Sequence, residues 1–194
     1  NWGAEVIDLQ MLRVINTSLA VLAHGSFIWG ALRFFRSDDD SAKRGKLLIS
    51  VTGGVFTIAN VFLTLHIDPP SVWWGGFASA SFLTSIVLFW LSWSVTREAR
   101  PDFAFSRESP SAVFRAGPYR CVRHPFYLSY LLAWVAACAS PSHPLSFIAV
   151  AFFGILYWRA AKVEEQAILQ SSLGEVYADY VRSTGFLWPL WRRK

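Results

Sequence analysis

Five apolar stretches dominate the chain, at about residues 14–35, 47–66, 72–95, 126–140 and 145–161, and polar connections separate them. A helix that crosses a bilayer needs roughly 20 mostly apolar residues. The fourth stretch is short of that, so its start is expected to include part of the polar segment before it. Ser140, Pro141, Ser142, His143 and Pro144 carry turn chemistry between the fourth and fifth stretches, which predicts a hairpin of two antiparallel helices. After the fifth, Leu169, Leu173, Val176, Tyr177, Tyr180 and Val181 recur at three- and four-residue spacing, the mark of an amphipathic helix, with Gly174 a point where it breaks or bends. The pattern predicts an all-α polytopic membrane protein with about five transmembrane helices and a C-terminal cytoplasmic amphipathic helix. Two units are expected: an N-terminal three-helix membrane region over 1–96, and a second unit over 97–194 that holds the polar connection, the hairpin and the last helix.

Composition agrees. Hydrophobic residues make up 54% of the 194 and charged residues only 16%, too apolar for an ordinary soluble domain. Basic residues in short loops set membrane orientation, and acidic ones count for little. The first connection has Arg36, Lys43, Arg44 and Lys46, and the third has Arg97, Arg100, Arg107, Arg115, Arg120 and Arg123. Both are expected on the cytoplasmic side, as is the C-terminal segment with Lys162, Arg182, Arg192, Arg193 and Lys194, which leaves the N-terminus outside. The net charge of +5 then collects on one face, where it draws anionic lipid headgroups and calls for no nucleic acid partner.

Other features narrow the chemistry by exclusion. Cys121 and Cys138 lie apart, which argues against a disulfide framework, and His24, His66, His124 and His143 show no metal-binding spacing, so no metal is expected. Gly53-Gly54 and Gly75-Gly76 fall in or beside apolar stretches and suit close helix packing rather than nucleotide binding. The first span, with Arg13 and Asn16 near its outer end, is too long and too polar at its start for a signal peptide and is expected to stay as an anchor. Asp38, Asp39 and Asp40 fit a solvated loop, and Trp73, Trp74, Trp90, Trp93, Trp188 and Trp191 fit interfacial anchoring near span ends.

The connection from Arg97 to Ala116 is long for a helical membrane protein, and long connections are more often functional than short ones. It leads into GPYRCVRHPFY at 117–127. Pro125 is placed to begin a helix, because its missing N–H would be unpaired there in any case, and the free N–H groups of that first turn make an anion site. Arg120, Arg123 and His124 stand beside it. Across the hairpin, Glu164 and Glu165 continue the fifth apolar helix at the level where the other arm begins, so they can approach His124. Positive-inside anchoring alone accounts for the arginines but not for Gly117-Pro118-Tyr119 together with His124-Pro125.

GPYRCVRHPFY, the glutamates at 164 and 165, LGEVYADY at 173–180 and TGFLWP at 184–189 resemble the isoprenylcysteine carboxyl methyltransferase group of integral-membrane methyltransferases, to which phospholipid methyltransferases are related. The resemblance covers about the last half of the chain. It implies a methyltransferase core over 97–194 with S-adenosylmethionine as cofactor, in a pocket that the last hairpin and the C-terminal segment close over. By that resemblance His124, Pro125 and Tyr127 line the cofactor, Glu165 with Glu164 engages its charged end, and Gly117, Tyr119 and Arg123 complete the loop. Phe186 is a departure, since some relatives have a basic residue there.

The chemistry agrees with the resemblance. S-adenosylmethionine carries an ammonium, a sulfonium and a carboxylate, which call for carboxylates, shielding from water, and an arginine or helix N-terminus. A carboxylate acceptor needs no general base, whereas an amine or thiol must lose a proton, so the acceptor decides what His124 or Glu164 does. Arg123 or Arg159 is expected to orient an anionic acceptor, while its lipophilic or prenylated part enters between helices. Prenylcysteine carboxyl methylation is the leading expectation; phospholipid or small-thiol methylation, an NADPH-dependent sterol-type reductase and a silent membrane scaffold are the alternatives.

Overall fold

The computed structural model describes residues 2–34, 40–98 and 113–190. Arg36, Asp38, Asp39, Arg100, Arg107, Trp191, Arg192, Arg193 and Lys194 lie outside the described residues, as do most of the long third connection and the side chain of Asp40. Among the described residues six α-helices follow in order: α1 (Trp2–Trp29), continued by a π-helical turn (Gly30–Phe34), α2 (Asp40–His66), α3 (Val72–Thr96), α4 (Pro125–Ala139), α5 (Pro144–Leu169) and α6 (Gly174–Ser183). A 3₁₀ turn (Gly117–Arg120) precedes α4. Among the described residues the only β pairing is an isolated parallel bridge between Val122 and Gly185.

Among the described residues four helical segments are long and apolar enough to cross a membrane, Asp8–Arg33, Lys43–His66, Val72–Thr96 and Pro144–Leu169. α4 is apolar but has only 15 residues, about 22 Å at 1.5 Å per residue. That is less than the roughly 30 Å of a hydrocarbon core. Its short length goes with burial, for most of its residues are packed inside the bundle.

The first span starts earlier than its apolar pattern suggests, because one polar side chain is satisfied within the bundle and a second is paired at its edge. Asn16 is fully buried; its Nδ2 donates to Gly75 O at 3.2 Å and its Oδ1 accepts from Ser79 Oγ at 2.7 Å. Arg13 pairs with Asp68 at 3.3 Å. Local signals set the other helix starts. Ser71 caps α3 by accepting from Trp74 N, and His143 caps α5 by accepting from Leu145 N, with Pro144 following as first residue. The hairpin turn between α4 and α5 is tight and holds Ser142 at φ 48°.

One buried cluster joins both halves of the chain: Ala20 and Ala23 of α1 and Phe82 of α3 pack with residues of α4 and α5. Ala133, Ala136 and Ala137 on α4 meet Ala149, Ala160 and Ala161 on α5 in that cluster. Small residues there let helix backbones approach, which in lipid substitutes for a hydrophobic driving force. Trp134 and Phe153 stack at 4.3 Å with their planes 2° apart, closing the middle of the hairpin. Leu83, Val87 and Leu91 of α3 and Ile155 and Trp158 of α5 are exposed, as lipid-facing residues are.

Candidate active site

α4 begins at Pro125, with His124 as its N-cap residue. The His124 side chain makes no capping bond. It turns instead toward α5, where its Nε2 lies 3.2 Å from Glu165 Oε1. The same oxygen accepts from Arg123 Nε at 2.6 Å and from the Tyr177 hydroxyl at 3.1 Å. Glu165 Oε2 lies 3.4 Å from Lys162 Nζ. The Glu165 and Arg123 side chains are only 8% and 9% exposed, so this is a buried ion pair with its remaining valences filled from three elements. Such saturation is what makes a buried carboxylate tolerable.

Arg123 also holds the C-terminal segment. Its guanidinium donates to the carbonyls of Thr184 and, at 3.4 Å, Val181. Backbone pairing runs alongside: Arg123 N donates to Gly185 O at 2.8 Å, Gly185 N to Cys121 O at 3.3 Å and His124 N to Phe186 O at 3.3 Å. The motif loop and residues 184–186 therefore form a short two-stranded clasp across the end of the hairpin. Only glycine fits at 185, since a Cβ there would lie 1.6 Å from Trp188 O. Gly117, at φ 53°, sets the entry to the loop against Val95 of α3.

The neighbouring carboxylate has a different environment. Glu164 accepts from the Tyr127 hydroxyl, and Tyr127 stacks on Tyr157 at 5.5 Å. The Tyr157 hydroxyl in turn accepts from Trp134 Nε1 at 3.3 Å. This aromatic wall runs from the polar edge into the bundle. Phe186 stands on the other side, edge-on to His124 at 5.0 Å and beneath Lys162 Nζ at 4.5 Å.

Burial lowers the pKa of His124 below its usual value; the hydrogen bond and charge of Glu165 oppose that, and Arg123 and Lys162 add to it. The net direction keeps the imidazole neutral near pH 7, so the tautomer protonated at Nε2 donates to Glu165. Desolvation likewise raises the phenol pKa of Tyr177, with the Glu165 charge adding to it, so Tyr177 acts as a hydrogen-bond donor and not as a phenolate.

Of the residues singled out in the sequence, Arg123, His124, Pro125, Tyr127, Glu164 and Glu165 come together. Tyr119 joins through α6, its carbonyl accepting from the Tyr180 hydroxyl at 2.6 Å, while Gly117 packs on α3. Arg159 does not join: it is exposed on α5, about 120° around the helix from Glu165 at 100° per residue. Tyr177 and Thr184 were visible in sequence as members of LGEVYADY and TGFLWP, and Lys162 as part of a basic segment, without a site role; the structure gives each a contact in the cluster. A Thr-Gly step after an amphipathic helix was the available signal for the clasp.

The family model for phospholipid methyltransferases matches residues 74–176. It thus spans α3, the motif loop, α4, α5 and the start of α6. No curated protein matches the chain.

Proposed function

The chain belongs to the phospholipid methyltransferase family of membrane methyltransferases, and from that premise we propose that it moves a methyl group from S-adenosylmethionine to a lipophilic acceptor at the cytoplasmic edge of the membrane. The observation that carries this reading is the pair of adjacent carboxylates at the end of α5, packed against the Arg123-His124-Pro125 loop and covered by residues 184–186. The donor set suits the cofactor. Glu164, beside the Arg123-Glu165 pair, supplies negative charge for its ammonium, and Tyr127, Tyr157, Pro125 and Phe186 supply aromatic and apolar surface to keep water from the sulfonium. The first turn of α4 supplies N–H groups for its carboxylate. When bound, the cofactor supplies an electrophilic methyl carbon.

The acceptor this site serves most directly is a carboxylate, as in a prenylated cysteine. His124 is bonded to Glu165 and Glu164 to Tyr127, so both candidate bases are engaged, and a carboxylate needs none. One carboxylate oxygen forms the new C–O bond as the C–S bond breaks, and the electron pair stays on sulfur. What the protein contributes is alignment and exclusion of water, and alignment can be worth ~7–11 kcal/mol in favourable cases. The family match favours a second acceptor, a phospholipid amine. That amine must shed a proton, and for Glu164 to accept it the Tyr127 hydroxyl would have to give way. The cytoplasmic placement rests on the basic loops, with Arg97, Arg115 and Arg120 at this end of the bundle.

Purified protein in detergent, given cofactor with a labelled methyl group, tests the reading. A prenylated cysteine acid is expected to yield a base-labile ester; N-methylated phosphatidylethanolamine is the product of the second acceptor. S-adenosylhomocysteine at a hundredfold excess over its Kd is expected to stabilise the fold by ~2.7 kcal/mol. Stabilisation by NADPH, with none by S-adenosylhomocysteine, would replace the methyltransferase with a reductase.

A further inference from the structure

A lipophilic acceptor of either kind carries an oxyanion close to its reacting atom, the carboxylate itself or the phosphate beside the amine. Three cations near the site compete for the job of holding it. Arg123 is already committed to Glu165 and to the carbonyls of Val181 and Thr184, and it is buried. Arg159 faces away from the Glu165 cluster, on the exposed side of α5. Of these three described cations, Lys162 alone is both next to the cluster and open. Its side chain is 45% exposed, and its contact with Glu165 Oε2, at 3.4 Å, is the longest in that carboxylate's set.

The geometry points to Lys162, seated on the ring of Phe186, as the group that takes the oxyanion of the lipophilic acceptor. This rests on the methyltransferase reading above. An ammonium has three donors, and Glu165 occupies one, which leaves the others for an incoming anion. Phe186 fixes where that ammonium sits. Its ring centroid is 4.5 Å from Lys162 Nζ, close enough for cation–π attraction, and its backbone carbonyl is tied to His124 N. The ring also lies 5.6 Å from the Arg123 guanidinium and 5.0 Å from the His124 ring, so the lysine head is held above the wall that the motif loop forms. A long apolar stem with its charge at the membrane edge suits a lipid whose tail lies in the bilayer and whose anion lies at headgroup level. A lysine that merely anchored the helix would need neither the aromatic seat nor the contact with a buried carboxylate.

Binding measurements on the full chain in detergent test the assignment. The probes are S-farnesylcysteine acid against its carboxamide, and phosphatidylethanolamine against a phosphate-free long-chain amine. Wild-type protein is expected to prefer the anionic member of at least one pair. K162Q is expected to cut that preference by about tenfold, the scale of one charge-assisted contact at a half-open site, and K162R to retain most of it. F186L is expected to fall between, and in turnover the K162Q defect should appear in KM for the acceptor rather than in kcat. The pair that responds identifies the oxyanion as carboxylate or phosphate. No anionic preference in wild type, an unchanged preference in K162Q, or a K162Q defect confined to S-adenosylhomocysteine binding would each overturn it. Failure of the methyltransferase reading is separate, because it shows in wild type as no stabilisation by S-adenosylhomocysteine.

Discussion

Removing the charge of Glu165 while keeping its shape, as in Glu165→Gln, isolates what the buried ion pair does. One carboxylate oxygen accepts from Arg123, His124 and Tyr177. An amide oxygen has two lone pairs, and the amide nitrogen would present donors to donors. Arg123, with 9% of its side chain exposed, would then be a buried cation without an anion. Stranding one member of a buried pair costs ~3–5 kcal/mol. The carbonyls of Thr184 and Val181 still receive the guanidinium, so the low end, about 3 kcal/mol, is expected.

Arg123→Gln removes the other partner but leaves Glu165 with His124, Tyr177 and Lys162, and about 2 kcal/mol is expected. In the double substitution neither charge is stranded. Its cost is expected to fall short of the sum by about 2 kcal/mol, within the usual range for residues in contact. Reversible SDS unfolding in mixed micelles gives the four free energies, and amide exchange at Arg123, His124 and Gly185 reports whether the clasp opens locally. Additivity within about 0.5 kcal/mol, with exchange at those three amides unchanged, would refute the view that this pair fastens the loop to the last hairpin.

Two further outcomes follow from the same geometry. Gly185→Ala places a Cβ at 1.6 Å from Trp188 O, which the backbone cannot accept, so the C-terminal segment is expected to leave the motif loop; limited proteolysis beyond Ser183 should speed up severalfold and methyl transfer should be lost. His124 is held neutral by burial, so its folded-state pKa lies below the unfolded value of about 6.5. Over that window the unfolded chain binds the extra proton, so stability is complete above about pH 6.5 and falls as pH drops toward the folded pKa; His124→Gln is expected to flatten that part of a pH-dependent unfolding profile.

How much of this was legible in the sequence depends on the range of the signal. Pro125 as the first residue of α4, the turn at 140–144 and the break before Gly174 are local events, written in residues whose backbone preferences are strong. The start of α1 was harder, because Arg13 and Asn16 look interfacial until Asp68, Gly75 and Ser79 are seen to satisfy them. Beyond the Thr184-Gly185 step, the clasp was not legible. A bridge between Val122 and Gly185 joins residues 63 apart through backbone atoms, and backbone pairing of one residue on each side leaves no periodicity.

The adjacent glutamates show the same limit more sharply. In sequence they form a single acidic patch, and the resemblance assigns them to one ligand. On a helix, consecutive residues point about 100° apart, so two neighbours seldom serve the same partner. Glu165 faces the motif loop and α6, where its valences are largely consumed in holding Arg123, His124 and Tyr177. Glu164 faces Tyr127 and the aromatic wall that leads into the membrane. A carboxylate saturated by its own protein has little left for a ligand's ammonium. Glu165 is thus better placed to hold the motif loop where the cofactor is to bind than to meet the cofactor's ammonium itself.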